Sequence, residues 1–179
     1  MTALARLIDK LNSRIGRAIA WLTLLMVLVQ FAIVLARYVF NIGSIGLQES
    51  IWYMHGIIFM VGAGYTLLHD GHVRVDVIYR EAKNTTKARI DMIGTLIFLL
   101  PMCALTLWVS LGYVTNAWKV REGSTELAGL PFIYLLKTTI WLFAILVGLQ
   151  GLSLLIKTVS YLANGSGDYS AGAGDKPVS

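Results

Sequence analysis

The sequence has little charge, three prolines and a single cysteine. Of its 179 residues, 14% are charged and 56% are hydrophobic, whereas a soluble domain carries roughly 25% charged residues. This shortage of charge excludes an ordinary water-soluble domain and indicates an integral membrane protein. Cys103 lies in an apolar run, where it serves as small core filler. A disulfide within the chain and a CxxC-type zinc or redox site are therefore excluded.

Four apolar stretches are each long enough to cross a hydrocarbon core of about 30 Å, which takes about 20 helical residues. They are Ala18 to Ala36, Ile51 to Leu68, Met92 to Tyr113 and Ile133 to Val159. The predicted fold class is an all-α integral membrane protein with four transmembrane helices plus in-plane amphipathic helices. The predicted organisation is an amphipathic surface helix at 1–17, a four-span membrane domain at 18–161 with a cytoplasmic loop at 69–91, and a disordered cytoplasmic tail at 162–179.

The segment before the first span combines basic and apolar residues. Apolar side chains recur at three- and four-residue spacing at Leu4, Leu7, Ile8, Leu11 and Ile15. This pattern predicts an amphipathic helix lying on the membrane lipids before the chain turns inward. Because the apolar run that follows exceeds the 7–15 residues usual in a signal peptide, we interpret it as a retained anchor.

The basic residues predict the orientation, because short cytoplasmic connections hold an excess of Lys and Arg. With the N-terminus inside, eleven of the fifteen lie on the inner side and four on the outer side. The outer four are Arg37, Lys119, Arg121 and Lys137. Both termini are therefore predicted to be cytoplasmic, in a multi-pass protein of the inner membrane. The net charge of +5 is explained by this topology, and no nucleic-acid partner is expected.

The segment "YTLLHDGHVRVDVIYREAKN", from Tyr65 to Asn84, concentrates polar residues in an otherwise apolar chain. Asp70-Gly71 predicts a turn after the second span, and the part from Val77 to Arg89 has the basic, amphipathic pattern of a segment lying on anionic headgroups. A metal site would use His69, His72 and Asp76. Their spacing matches no known metal site and Arg74 would face the same cation, so a hydrogen-bonded turn is preferred.

Several motifs of the sequence resemble those of a known family. The chain contains the run "RYVFN" at Arg37 to Asn41, Glu49 twelve residues beyond Arg37, "GAGYTLLHDG", and "HVRVD" at His72 to Asp76. Together these features resemble the small membrane (Q-type) subunit of tripartite ATP-independent periplasmic (TRAP) transporters. The resemblance implies a partner role. A large membrane subunit carries the substrate by a sodium-driven elevator movement, and a periplasmic substrate-binding protein captures the substrate, expected to be an organic acid.

The composition of the spans agrees with an accessory subunit that does not transport substrate by itself. Carriers usually show internal repeats, broken helices and polar sites at mid-membrane, and none is visible in this sequence. Glycines on the second span mark close helix contacts. The candidates for structural or partner-interface roles are Arg37, Glu49, His55, Gly62, Gly64, His72, Arg74 and Asp76. The candidates for docking the binding protein lie in the periplasmic loop, at Lys119, Arg121, Glu122 and Glu126.

Two other classes of function are open alternatives. A small proton-coupled exporter requires a carboxylate within the membrane, and Glu49 at the outer end of the second span is the nearest one. A membrane haem anchor requires histidines on facing helices, yet His55 is the only histidine inside a span. No enzymatic activity and no cofactor are predicted.

Arg37 and Glu49 stand on either side of the first outer hairpin, whose Asn41, Gly43 and Ser44 allow it to bend. Charges near the hydrocarbon are tolerated when paired, so we expect these two to pair with each other or with the large subunit. In the alternative, Arg37 reaches the phosphates and Glu49 offsets the dipole at the start of the second helix.

Overall fold

The structure is a computed structural model that describes residues 3–72, 79 and 82–164. Within these ranges it has four helices that are long and apolar enough to cross a membrane. They are α1 (Ala3–Tyr38), α2 (Ile45–Leu68), α3 (Asn84–Val120) and α4 (Ile133–Asn164). The described residues contain no β-strand, so the predicted all-α, four-span fold class is confirmed.

The helices extend well beyond the apolar stretches. α1 has 36 residues, about 54 Å at 1.5 Å per residue, which exceeds a hydrocarbon core of about 30 Å. From Ala3 onward, the predicted surface helix is therefore the uninterrupted first part of α1, and residues 84–91, expected in a loop, begin α3. Hydropathy marks only the part of a helix suited to lipid, whereas helix-forming polar residues continue the same helix outside it.

Local capping explains the ends of α2. The Ser44 hydroxyl accepts a hydrogen bond from the Leu47 N–H at 3.4 Å, which satisfies one of the free amides at a helix start. At the other end Asp70 adopts the left-handed conformation, with φ of 55°. The Gly71 N–H donates to the Thr66 carbonyl at 2.9 Å. The predicted Asp70-Gly71 turn is confirmed.

A π-helical turn at Thr95–Leu99 interrupts α3. Pro101 follows it, and proline has no N–H to donate to the carbonyl four residues earlier, while its ring crowds that carbonyl. The Leu100 N–H instead donates to the Thr95 carbonyl, five residues back. This wider turn accommodates the proline within a continuous membrane helix.

The bundle is organised around α4, which packs against each of the other three helices, while α1 also packs against α2. Small residues from three helices form a buried cluster, namely Ala63, Cys103, Ala144 and Val147. Cys103 is thus core filler, as its sequence context predicted. Since α4 is the common neighbour of α2 and α3, these two helices are joined mainly through it.

The glycines on α2 differ in how closely neighbouring atoms approach them. A Cβ added at Gly64 would lie 2.5 Å from Asn12 Oδ1 and 3.2 Å from Leu146 Cβ. At Gly62 a Cβ would have only Ile19 near it, at an ordinary 4.0 Å. Gly64 therefore permits the close approach of α1 and α4 to α2 that small residues allow in membranes, whereas Gly62 does not have this role.

Candidate functional site

Two polar networks close opposite ends of the bundle. We call the end with the α1–α2 and α3–α4 connections the hairpin end, and the end with the start of α1 and the finish of α4 the terminal end. At the hairpin end, Glu49 is buried, with 7% of its surface exposed. Its carboxylate accepts hydrogen bonds from the Ser124 hydroxyl and, at 2.6 Å, from the Leu130 N–H. Glu49 on α2 thereby fixes the α3–α4 loop.

The expected pairing of Arg37 with Glu49 is absent from the described residues. The Glu49 carboxylate is occupied by the loop, and Arg37 is exposed beside Ser44 and Gln48. The alternative in which Glu49 caps the start of α2 and offsets its dipole fails as well, because Ser44 is the N-cap and the first turn of α2 contains no acidic residue. The loop that takes this carboxylate lies more than seventy residues further along the chain, and no local pattern indicated it.

The docking candidates at the hairpin end divide into engaged and exposed residues. Glu122 forms an ion pair with Lys137 at 2.5 Å, and the Lys137 ammonium lies 3.9 Å from the centre of the Tyr113 ring. Three candidates remain exposed, namely Lys119, Arg121 and Glu126. Leu127, also in this loop, is fully exposed. The loop thus presents charged and apolar side chains outward on a backbone tied to α2 and α4.

At the terminal end, α1 and α4 are joined by a buried polar network. Asp9 pairs with Lys157 at 2.6 Å and accepts hydrogen bonds from Ser153 at 2.7 Å and Gln150 at 3.0 Å. Asn12 is fully buried and donates to Gln150 Oε1 at 2.8 Å. The hydrogen bonds to the Asp9 carboxylate are charge-assisted, and such bonds are about twice as strong as neutral ones. They hold the first part of α1 against the end of α4.

A glutamine within a membrane span predicts a hydrogen bond between helices, and Gln150 of this terminal network makes two such bonds, to Asn12 and Asp9 of α1. Asp9, Asn12, Ser153 and Lys157 were missed. A signal was present, because polar residues at 150, 153 and 157 recur at helical spacing on one face of α4, as do 9 and 12 on α1. Only the fold shows that the two faces meet.

The histidines have different surroundings. His55 is exposed on α2, with its ring 6.3 Å from that of Phe59. His69 caps α2, where its Nδ1 lies 3.0 Å from the Tyr65 carbonyl. His72 is exposed and borders an apolar groove between α2 and α3, described below. Arg74 and Asp76, the remaining candidates of this segment, lie outside the described residues.

The groove between α2 and α3 lies at the terminal end and has a volume of about 670 Å³. Its walls include Leu67 on α2 and Phe98 on α3, and Phe143 and Val147 of α4 lie between them. Asp70, His72, Asp91 and Thr95 are its polar lining residues. With this lining the groove suits an apolar chain or side chain rather than a hydrophilic solute.

The geometry disfavours the two alternative classes. The carboxylates of Asp9 and Glu49 are both engaged in structural hydrogen bonds, whereas a proton-coupled exporter needs a carboxylate on a proton pathway. His55 and His69 lie on one helix, fourteen positions apart, which is about 21 Å along the axis. They cannot ligate one haem iron. Among the described residues, no group of three or more His, Cys, Asp or Glu is placed to hold a metal ion.

Comparison with known proteins identifies the family. Residues 26–162, more than half of the chain, match the family model described as "Tripartite ATP-independent periplasmic transporters, DctQ component". Comparisons with curated proteins and with solved structures give no match. The matched region contains α2, α3, most of α4 and the last third of α1. The chain belongs to the DctQ family and is the small membrane component of a TRAP transporter.

Proposed function

We propose that this chain is the static scaffold of its transporter and holds a large membrane subunit that carries the substrate. The observation that supports this most directly is that buried polar networks tie the helices together at both ends, through Glu49 at one and Asp9 at the other. Polar groups that bond to one another stabilise a fixed bundle. A carrier instead keeps polar groups available for substrate and ions at mid-membrane.

In this proposal the terminal end faces the cytoplasm and the hairpin end the periplasm, in a bacterial inner membrane. The distribution of Lys and Arg supports this orientation. Leu4, Leu7 and Leu11 are exposed on α1, near the basic Arg6 and Lys10, so this part of α1 suits the lipid interface. Anionic headgroups attract each such basic residue by about 1 kcal/mol.

The exposed part of the α3–α4 loop is proposed to help dock the periplasmic substrate-binding protein. Lys119 at the end of α3 and Arg121 and Glu126 in the loop are exposed, and complementary charges mainly speed the encounter of two proteins. Glu122 is not included among the proposed docking residues, because it forms an ion pair with Lys137. The substrate, proposed to be an organic acid, and the driving ion, proposed to be sodium, are bound by the large subunit.

Reconstitution in liposomes tests the scaffold function. The chain alone, the large subunit with the binding protein, and all three together are compared for substrate uptake under a sodium gradient. We expect uptake only with all three components. Uptake by the chain alone would refute the scaffold function, and full uptake without the chain would show that the scaffold is dispensable.

A further inference from the structure

One face of α2 is exposed and carries a polar group within the apolar part of the helix. Trp52, His55 and Phe59 follow at three- and four-residue spacing, so they share a face, and all three are exposed. His55 has ten residues of α2 before it and thirteen after it. In the apolar stretch Ile51 to Leu68 it is the fifth residue, about 6 Å inside the outer end at 1.5 Å per residue, so the imidazole lies within the hydrocarbon core.

Several hydroxyl side chains on the spans are satisfied within their own helix. The Thr23 and Thr106 hydroxyls, for example, donate to carbonyls four residues earlier. Gln30 on α1 and His55 on α2 are exposed within the apolar stretches and make no hydrogen bond that the described part of the chain shows. His55 alone of these two has exposed aromatic side chains one turn away on each side, since Trp52 and Phe59 are each 69% exposed.

An imidazole facing lipid tails would be costly, because hydrocarbon offers no hydrogen-bond partner to its N–H or its ring nitrogen. The His side chain is short, so it reaches toward the headgroups much less readily than Lys or Arg does. Another membrane helix with a polar side chain at the same depth satisfies the imidazole. The flanking Trp and Phe add the aromatic surface that is enriched at protein interfaces.

We propose that the Trp52–His55–Phe59 face of α2 packs against a membrane-spanning helix of the large transport subunit, and that His55 forms a hydrogen bond with a polar side chain of that helix. This inference rests on the proposed scaffold function, which requires a fixed contact with the large subunit. The surface that makes this contact is the Trp52–His55–Phe59 face. The opposite side of α2 is unavailable, because Gly64 is packed against α1 and α4.

Photo-crosslinking in membranes that contain the whole transporter tests the surface. A photoreactive phenylalanine analogue replaces Trp52, His55 or Phe59 in turn, and controls carry it at Trp21, Leu25 or Leu28, which are exposed on α1. We expect adducts with the large subunit from the α2 positions, at several-fold higher yield than from α1. Adducts between two copies of this chain, no protein adduct, or equal yields from both helices would overturn the proposal.

Substitution of His55 tests the hydrogen bond separately. His55→Leu should reduce recovery of the large subunit on the tagged chain about threefold, the factor that matches an average interhelical hydrogen bond in a membrane. His55→Gln keeps a donor and an acceptor and should retain recovery. Thr23→Val, which removes a hydroxyl bonded within its own helix, is the control and should have no effect.

Two outcomes separate this inference from the scaffold function. If His55→Leu leaves recovery unchanged or raises it, as expected for a lipid-facing position, the hydrogen bond is wrong while the scaffold function stands. If the unaltered chain does not recover the large subunit at all, the scaffold function itself fails.

Discussion

Asp9 and Glu49 are two carboxylates that each join distant parts of the chain. Glu49 binds a loop at residues 124 and 130, and Asp9 binds α4 at residues 150, 153 and 157. A buried carboxylate is costly unless hydrogen bonds and a counter-charge replace its hydration. Asp9 has both, whereas Glu49 has hydrogen bonds alone, and removing either carboxylate leaves donors on a distant segment without an acceptor.

Glu49→Ala should lower the free energy of unfolding by about 2 kcal/mol, because hydrogen bonds to charged groups contribute about 1.5–3 kcal/mol. Ser124→Ala removes one of the same bonds, so the double variant should lose less than the sum of the two single losses. Arg37→Ala is the control and should add to Glu49→Ala without coupling. Thermal unfolding in detergent, followed by circular dichroism, measures all of these, and coupling between Arg37 and Glu49 would contradict the described geometry.

Lys157→Met should cost more than the double change Asp9→Asn with Lys157→Met. Loss of the ammonium leaves a buried carboxylate without its counter-charge, which costs on the order of 3 kcal/mol in buried pairs, whereas the double variant leaves neither charge. Asp9→Asn alone should be milder than Lys157→Met, because the long Lys157 side chain can reach toward the headgroups. The same unfolding assay ranks the three variants, and equal losses would argue against an ion pair that matters for stability.

At the scale of the helices, two features each depend on one glycine or one proline. They are the contact of α1 with α2 and the π-helical turn of α3. Gly16 faces the Tyr65 ring so closely that a Cβ at position 16 would lie 2.1 Å from it. Pro101 accounts for the π-helical turn at Thr95–Leu99. Gly151 of α4 lies against this turn, at Leu99. Helix separation in this bundle is therefore set by a few glycines rather than by large apolar side chains, as in other membrane bundles.

Gly16→Ala should destabilise the protein by about 1–3 kcal/mol, the usual cost of adding a methyl group to a packed contact. Gly112→Ala is the matched control, because a Cβ there meets nothing within 4 Å. That substitution should be neutral or stabilise by up to about 1 kcal/mol through the higher helix propensity of alanine. Melting temperatures in one detergent compare the two variants. A neutral Gly16→Ala would mean that α1 and α2 lie further apart than described.

For the whole molecule, the four helices place the start of α1 beside the end of α4, as the Asp9–Lys157 pair shows. Both lie at the terminal end, opposite the α3–α4 loop. Orientation in the membrane then depends on the charge of the connections. The orientation determines which partner contacts which end of the bundle. It can be tested with the intact protein.

Labelling with a membrane-impermeant maleimide tests the orientation. Glu126→Cys, at an exposed site of the α3–α4 loop, should react in cells whose outer membrane has been permeabilised. Lys10→Cys should react only after the inner membrane is opened. Cys103 is buried, so the unaltered chain should give a low background and is the control. The reverse pattern would invert the proposed topology.

Charge reversal at Arg121 and Glu126 tests docking of the binding protein. Arg121→Glu with Glu126→Lys should lower uptake at low concentrations of binding protein and at low salt, because charge pairing mainly increases the rate of encounter. Uptake should recover at saturating binding protein. Uptake that is unchanged at every concentration would show that this part of the loop is merely solvated.

The sequence predicted the features that depend on local pattern. The apolar runs indicated four spans, Asp70-Gly71 indicated a turn, and the motif from Arg37 to Asp76 indicated the family. It did not predict the partners of Glu49, because a carboxylate near a hairpin has several local options while the chosen donors lie 75 and 81 residues away. The predicted start of α3 was late, because hydropathy does not detect the polar turns of a membrane helix.

The sequence alone determined the class of protein, since a chain with 14% charge and four long apolar runs can satisfy its backbone in lipid only as helices. Only the tertiary structure decided which polar residues are structural and which are available. Asp9, Glu49 and Glu122 are engaged by distant segments, whereas His55 and Arg121 are exposed. The physical reason is that helical spacing defines the faces of each helix, but the packing of helices far apart in sequence determines which faces meet.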